Sequence, residues 1–422
     1  MADVTSVSPL APDRFPDLPA VAGVRLATHA AGLRYRGRPD LMLAELAPGS
    51  TVAGVFTRSL CPSAPVDHCR RIIGRGTARA VVCNAGNANA FTGAAGAASA
   101  ELTARAVATD LGVDADDVYL ASTGVIGEPM DDVVLGAALT HLAPALADSD
   151  PPTWSAAAAA IRTTDTYAKG STATIAGSTA SVVGIAKGSG MIAPDMATML
   201  AFVFTDAAVP AAMAQRCLGT AVGGSFNRIT VDSDTSTSDT VLLFATGMAD
   251  TATAGTQAGT DGAAAEATVD EGAFQAALDV VCLDLAHQIV RDGEGATKFV
   301  AVTVTGAADD HAAEIIARAI ADSPLVKTAL AASDANWGRI VMAVGKSGQA
   351  AERDHLAIWI GDEQVSAGGV KLDGYSEARA TEHLQGDEVE IRADVGVGTG
   401  SATVWTCDLT HGYIDINAGY RS

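Results

Sequence analysis

Short apolar runs and longer amphipathic stretches alternate along the whole chain. The short runs are rich in β-branched residues and are bounded by Gly, Asp or Asn, which is typical of strands. They predict strands at 78–83, 118–122, 181–185, 199–205, 240–246, 299–305, 340–344, 356–360, 388–393 and 402–406. The pattern therefore predicts a mixed α/β protein with a large sheet content.

Five longer stretches have apolar residues at three- and four-residue steps, the spacing of a buried helix face. They predict helices over 97–111, 131–146, 274–290, 312–320 and 376–384. In the third stretch, Phe274, Leu278, Val281, Leu285 and Ile289 form one apolar stripe. Such a stripe predicts a helix that packs against the core.

The segment 248–270 differs from its surroundings, because it consists of Ala, Gly, Thr and Asp with almost no large apolar residue. This composition is typical of a flexible surface segment rather than of a core element. We therefore expect a flexible insertion at about 248–270, between a strand and a helix.

Composition and charge restrict the class of protein. The 422 residues are 48% hydrophobic and 18% charged, as in a globular protein with two domains or two large lobes. The net charge of −22 opposes binding to nucleic acid and to anionic membrane surfaces. The N-terminus lacks the basic start and apolar core of a secretory signal, and no continuous apolar run is long enough to span a bilayer. We therefore expect a cytoplasmic protein.

Common catalytic motifs are absent from the sequence. There is no GxSxG nucleophile elbow and no HExxH zinc motif, and the Gly345-Lys346-Ser347 run lacks the earlier glycine of a P-loop. The informative segment runs from Gly184 to Leu200, where a glycine-rich stretch with one lysine, Lys187, leads through Ala197 and Thr198 into an apolar strand. By its local sequence alone, Thr198 is an ordinary β-branched residue at the start of a buried strand.

The run KGSGMIAPDMATML from Lys187 to Leu200 resembles the cleavage motif of the ornithine acetyltransferases, also called glutamate N-acetyltransferases. Further blocks of the chain resemble this family in the same order, which extends the resemblance over nearly the whole length. These blocks lie at 84–89, 121–127, 163–166, 232–240, 292–298, 323–328, 336–339 and 416–422.

The resemblance implies a self-cleaving enzyme with a layered α/β/β/α sandwich. Scission between Ala197 and Thr198 would give an α chain (1–197) and a β chain (198–422), and two of each would form a heterotetramer. Thr198, as the new N-terminal residue, would be the nucleophile. Its free α-amine would be the base, since the α-amine pKa of about 7.7–8.0 leaves a useful fraction neutral.

The resemblance also implies the reaction and the site. An acetyl group would pass from N2-acetyl-L-ornithine to L-glutamate by a ping-pong mechanism in arginine biosynthesis, with no metal and no organic cofactor. Thr123 and Gly124 would form the oxyanion hole. The implied substrate contacts are Thr164, Lys187, Thr198, Glu294, Asn417 and Ser422. Whether acetyl-CoA is a second donor stays open.

Charge supports two of these assignments, because Lys187 suits the α-carboxylate of N-acetylornithine and Glu294 suits its side-chain ammonium. Other interpretations remain. By local sequence alone, Lys187 and Glu294 are solvated loop charges, and Gly124 serves a strand-to-loop turn. Residues 232–239 could bind a cation or cap a helix, but a structural hydrogen-bonded loop is favoured. The alternative function is a self-cleaving aminopeptidase or amidohydrolase of related fold, and a further alternative is a binding protein without catalysis.

Overall fold

The computed structural model describes residues 6–193, 199–249 and 269–418, which contain sixteen strands and eleven helices. The strands are β1 (Val24–His29), β2 (Leu41–Leu46), β3 (Thr51–Phe56), β4 (Ala80–Asn87), β5 (Val118–Val125), β6 (Ala147–Asp148), β7 (Lys169–Thr174), β8 (Ser181–Lys187), β9 (Leu200–Thr205), β10 (Thr240–Ala245), β11 (Phe299–Ala307), β12 (Ala357–Ile360), β13 (Glu363–Ala367), β14 (Val370–Lys371), β15 (Glu388–Asp394) and β16 (Gly400–Cys407). The helices are α1 (Ala64–Ile72), α2 (Gly93–Leu111), α3 (Asp132–Leu139), α4 (Pro151–Ala160), α5 (Ala211–Gly224), α6 (Glu271–Arg291), α7 (Asp310–Ala321), α8 (Pro324–Ala331), α9 (Trp337–Gly345), α10 (Glu377–Leu384) and α11 (His411–Ala418).

Two five-stranded sheets form the centre of the molecule. Their strand orders are β5-β4-β2-β1-β6 and β3-β10-β9-β8-β7. In the second sheet, β8, β9 and β10 are buried on both faces, and successive side chains point to opposite sides. Phe202 and Phe204 belong to the core shared with the first sheet, whereas Ala201 and Val203 belong to the core shared with α5 and α6.

Helices cover the outer sides of both sheets. Helices α1 and α2 pack on β5 of the first sheet, and α6 packs on β7 and β8 of the second. The layers therefore run helix, sheet, sheet, helix, which confirms the expected mixed α/β fold and its α/β/β/α sandwich. Trp154 of α4 packs in the core shared by the two central sheets, where its ring centroid lies 5.2 Å from that of Phe204.

The third sheet, of order β14-β13-β12-β15-β11-β16, forms a separate core with α7, α9 and α10. It joins the sandwich through a bridge between Ile229 and Trp405 and through contacts of α6 with β16. This lobe supplies the turn before β11 and the C-terminal helix α11, both of which lie at the candidate site.

Two predicted elements differ in the structure. The predicted strand at 340–344 is wrong, because these residues lie in α9, where Ile340, Ala343 and Val344 recur at helical spacing and are buried. The predicted helix at 131–146 ends at Leu139 in the structure. Pro144 interrupts it, since proline lacks the N–H that a helix interior requires, and a short 3₁₀ turn, Ala143–Ala145, follows instead.

The predicted insertion at 248–270 lies between β10 and α6 in the chain, and its residues 250–268 are outside the described residues. Among the described residues, α6 alone has the length and apolar content of a bilayer-spanning helix, with a mean hydropathy of 1.3. Nine of its side chains, Phe274 and Ile289 among them, are buried. Helix α6 is therefore a core helix of the sandwich.

Candidate active site

A pocket lies where the ends of β5 and β8, the turn before β11 and helix α11 meet. Six of the residues that the resemblance assigns line this one pocket. They are Thr123, Gly124, Thr164, Lys187, Glu294 and Asn417. Residues more than 290 positions apart in sequence are thus collected around a single cavity.

Thr123 and Gly124 stand near the end of β5, which pairs in parallel with β4. The two backbones approach so closely that a Cβ on Gly124 would lie 2.2 Å from the carbonyl carbon of Gly86. Gly124 also has a φ of 131°, which a residue with a side chain rarely adopts. Glycine is therefore required here for the backbone alone, and this requirement is compatible with a role in an oxyanion hole.

Lys187, the last residue of β8, is 2% exposed, so its interpretation as a solvated loop charge is wrong. Its ammonium donates to Thr123 Oγ1 at 3.2 Å and lies 4.0 Å from Asp165 Oδ2. Burial lowers the Lys187 pKa from its ordinary value, and the Asp165 carboxylate opposes this effect. A cationic side chain thus faces the pocket from the second sheet.

Glu294 is 8% exposed, and its interpretation as a solvated charge is likewise wrong. Asn417 Nδ2 donates to Glu294 Oε2 at 2.7 Å, and the Thr164 side chain also forms a hydrogen bond to the carboxylate. The N–H of Glu294 donates to the Ser189 carbonyl at 2.8 Å. Burial raises the Glu294 pKa, and the hydrogen bonds from Asn417 and Thr164 oppose that increase.

Gly190 lies directly against the carboxylate of Glu294. A Cβ at this position would be 2.4 Å from Glu294 Oε2. The absence of a side chain at Gly190, within the glycine-rich part of the cleavage motif, therefore leaves space for the buried carboxylate of Glu294.

A buried ionic cluster behind the pocket was missed by the sequence analysis. Lys169 Nζ donates to Asp165 Oδ1 at 2.7 Å and to Asp292 Oδ2 at 2.5 Å, and all three side chains are inaccessible to solvent. Asp165 Oδ1 also accepts from Gly188 N at 2.6 Å. Burial opposes ionisation of Asp165, but Lys169 and Lys187 lower its pKa below the ordinary value. Asp165 and Asp292 lie inside family-like blocks, which was the available signal.

The loop 232–239 is hydrogen-bonded as expected and contacts residues of the cleavage motif on both sides of the proposed scission point. Asp232 accepts from the N–H groups of Met191 and Ile192 at 2.7 and 2.9 Å. Asp239 accepts from Met199 N at 2.9 Å and is wholly buried, which raises its pKa well above the usual range. The sequence analysis gave no role to Asp239.

Three of the assigned residues, Ala197, Thr198 and Ser422, lie outside the described residues. The pairing within the second sheet shows where the chain continues after Thr198. Lys187 at the end of β8 pairs with Leu200 at the start of β9. Strand β9, which begins two residues after Thr198, therefore starts beside a residue of the pocket.

The structure combines a mixed α/β fold with a pocket lined by polar and charged side chains. Comparisons with known proteins identify its family. The sequence model of the ArgJ family matches residues 25–422. The "Arginine biosynthesis bifunctional protein ArgJ" of Rhizobium meliloti (strain 1021) is 56% identical over 421 residues, which cover 99% of each chain.

Two solved structures are also similar. The crystal structure of an ArgJ protein from Bacillus halodurans is 43% identical with a TM-score of 0.46, and the match covers 52% of this chain and 98% of that one. The ornithine acetyltransferase of Mycobacterium tuberculosis, complexed with ornithine, is 34% identical with a TM-score of 0.37, covering 42% of this chain and 94% of that one. The chain belongs to the ArgJ family. The resemblance to the ornithine acetyltransferases is thereby confirmed, and acetyl transfer in arginine biosynthesis with it.

Proposed function

We propose that the pocket transfers the acetyl group of N2-acetyl-L-ornithine to L-glutamate through an acetylated Thr198. The observation that carries this proposal is the convergence of Thr123, Gly124, Lys187 and Glu294 on one cavity at the start of β9. This cavity offers one buried cation and one buried carboxylate to a substrate that carries both charges.

In the first half-reaction, Thr198 Oγ attacks the acetyl carbon while the Thr198 α-amine accepts the hydroxyl proton. The oxyanion of the tetrahedral intermediate accepts hydrogen bonds from Thr123 and the backbone of Gly124, each donor being worth about 2.7–4 kcal/mol. The intermediate then collapses, the C–N bond breaks, and the proton passes to the leaving amine of ornithine. Thr198 is left as an acetyl ester.

In the second half-reaction, the α-amine of glutamate attacks this ester. The same two donors stabilise the intermediate, the C–O bond breaks, and the proton returns to Thr198 Oγ. N-acetylglutamate leaves and the nucleophile is regenerated. In both halves, Lys187 pairs with the α-carboxylate of the bound amino acid, and Thr164, Asn417 and Ser422 contribute polar contacts.

The nucleophile requires a free α-amine, so we further propose that the chain cleaves itself between Ala197 and Thr198. The products are an α chain of residues 1–197 and a β chain of residues 198–422. Two features support the continued association of the α and β chains. Strand β8 of the α chain pairs with β9 of the β chain, and the two central sheets share one core. We propose a heterotetramer of two α and two β chains that acts in the cytoplasm.

The test is a product assay with N-acetylornithine and glutamate. The proposal expects ornithine and N-acetylglutamate in equal amounts. Release of acetate in place of N-acetylglutamate would contradict it and support the hydrolase alternative, which the family match does not favour. A parallel reaction with acetyl-CoA and glutamate decides whether acetyl-CoA is a second donor.

A further inference from the structure

The donor and the acceptor carry opposite charges at the end of their side chains. N-acetylornithine ends in an ammonium group, which suits the Glu294 carboxylate, whereas glutamate ends in a second carboxylate. If both side chains occupy the same part of the pocket, an ionised Glu294 repels the acceptor. A change in the charge of this subsite between the two half-reactions would remove the repulsion.

The described residues offer Glu294 no cation in direct contact. Its hydrogen-bond partners are neutral, Asn417 from α11 and Thr164 from the segment before β7. The charged and titratable groups that interact with it electrostatically are Lys187 on β8, Asp232 on its loop and Tyr413 on α11. Lys187 is held by Thr123 and Asp165, and Tyr413 OH donates to Asp232 Oδ2 at 3.2 Å.

We propose that Glu294 serves both substrates by changing its protonation state. As a carboxylate it pairs with the ammonium of N-acetylornithine, and as a carboxylic acid it donates a hydrogen bond to the side-chain carboxylate of glutamate. The proton comes from solvent when glutamate binds and returns to solvent when N-acetylglutamate leaves. This inference rests on the proposed function.

Two features of the site support such a change. Glu294 is 8% exposed, lines the pocket and has the neutral Asn417 amide as a hydrogen-bond partner. Burial raises its pKa and the Asp232 carboxylate adds to this rise, whereas the hydrogen bonds from Asn417 and Thr164 and the Lys187 charge oppose it. A glutamate carboxylate placed beside it raises the pKa further, because two close carboxylates do not both ionise readily. A carboxylic acid beside a carboxylate also forms a short, charge-assisted hydrogen bond.

Calorimetry of the full-length wild-type protein tests the proposal, with L-glutamate or L-glutamine titrated in buffers of different ionisation enthalpy. Without an acetyl donor no reaction occurs, and the two ligands differ only at the side-chain end. At a pH above the Glu294 pKa, glutamate should take up about one proton more than glutamine. The dissociation constant of glutamate should rise about tenfold per pH unit there, while that of glutamine stays flat.

Two variants test whether the extra proton taken up with glutamate binds to Glu294. In Glu294→Gln the amide donates to glutamate without a proton, so glutamate binding should lose its extra proton uptake and its pH dependence. The same variant should bind N-acetylornithine at least about tenfold more weakly, because the charge pair is lost. Glu352→Gln, which changes an exposed carboxylate of the third sheet's lobe, should behave as wild type.

Equal proton uptake with glutamate and glutamine overturns this inference. That result is expected if a cation such as Arg421, outside the described residues, receives the glutamate side chain. The product assay on the same preparation distinguishes failure of the protonation change from failure of the proposed function. Acetyl transfer without extra proton uptake refutes only the protonation change, whereas absence of acetyl transfer refutes the proposed function.

Discussion

At Gly190 the pocket has no room for a methyl group, because a Cβ there would lie 2.4 Å from Glu294 Oε2. The substitution Gly190→Ala should displace the carboxylate from its partners Asn417 and Thr164. Loss of one charge-assisted hydrogen bond to substrate costs about 1.5–3 kcal/mol, so the KM for N-acetylornithine should rise about tenfold or more. Steady-state kinetics measure this effect.

The matched control is Gly219→Ala in α5, where a Cβ would meet nothing within 4 Å. It should leave KM unchanged and stabilise the protein by about 0.5–1 kcal/mol, since alanine is the better helix former. An unchanged KM in Gly190→Ala would show that the position of Glu294 does not control donor binding.

Asp239 accepts a hydrogen bond from the N–H of Met199, the first described residue after the proposed scission point. Replacement by alanine leaves this buried N–H unsatisfied, which costs about 1–3 kcal/mol, and should also reduce self-cleavage. Asp239→Asn keeps an oxygen acceptor and should cleave more completely than Asp239→Ala. Gel analysis of the split fraction and thermal unfolding measure both effects. Equal cleavage in the two variants would contradict this role.

The residue types of the pocket were predictable, but their environments were not. The family-like motifs indicated Thr123, Lys187 and Glu294, yet local sequence alone left both charges in solvent. Their burial depends on partners distant in sequence, such as Asn417, 123 positions from Glu294. Asp239 was missed for the same reason, because its partner Met199, just before β9, is 40 positions away in sequence.

At the scale of elements, Lys169 joins the start of β7 to the end of α6 through Asp165 and Asp292. Lys169→Met leaves two buried carboxylates without their cation, and breaking such a pair costs about 3–5 kcal/mol. Denaturant unfolding should measure that loss. Lys371→Met, at an exposed position in β14, should stay within about 0.5 kcal/mol of wild type.

Asp165, the carboxylate of the cluster whose pKa is lowered, also predicts a pH dependence. Because the folded pKa of Asp165 is lowered, its contribution to stability is present above the unfolded pKa of about 3.9 and is lost as the pH falls through the folded value. Lys169→Met should reduce this acid-dependent part, while Lys187 and the Gly188 N–H continue to lower the Asp165 pKa. If the variant unfolds with wild-type stability, the cluster does not hold β7 and α6 together.

Helix α11 contributes Asn417 to the pocket while burying none of its own residues. Thr410 Oγ1 donates to the Gly295 carbonyl at 2.7 Å, which places the helix on the turn that carries Glu294. Removal of residues 417–422 should lower kcat/KM about hundredfold through misplaced substrate, yet change Tm by less than about 4 °C. Unchanged kinetics would remove Asn417 and Ser422 from the site.

Sequence patterns predicted helices α2, α6, α7 and α10, which have buried faces, and five of the ten strands of the two central sheets, which are short β-branched runs. They did not predict β2, whose sequence Leu-Met-Leu-Ala-Glu-Leu consists of good helix formers. This segment is extended because it pairs with β1 and β4 on both sides. The opposite error occurred at 340–344, where a short apolar run predicted a strand but the structure has helix α9.

At the scale of the molecule, chain connectivity places the cleavage motif between the two central strands β8 and β9. The strand order β3-β10-β9-β8-β7 could not be read from the sequence, since pairing depends on contacts between distant segments. In this order, β8 and β9 are paired within the same sheet, so the proposed scission after Ala197 would leave its two sides hydrogen-bonded to each other.

The central claim is that Thr198, freed by self-cleavage, carries the acetyl group. Mass spectrometry of the purified protein, before and after addition of N-acetylornithine, tests it most directly. The account predicts two fragments, residues 1–197 and 198–422, and one acetyl group on Thr198 after addition, with neither change in Thr198→Ala. An intact 42.4 kDa chain that transfers acetyl groups at full rate would contradict it.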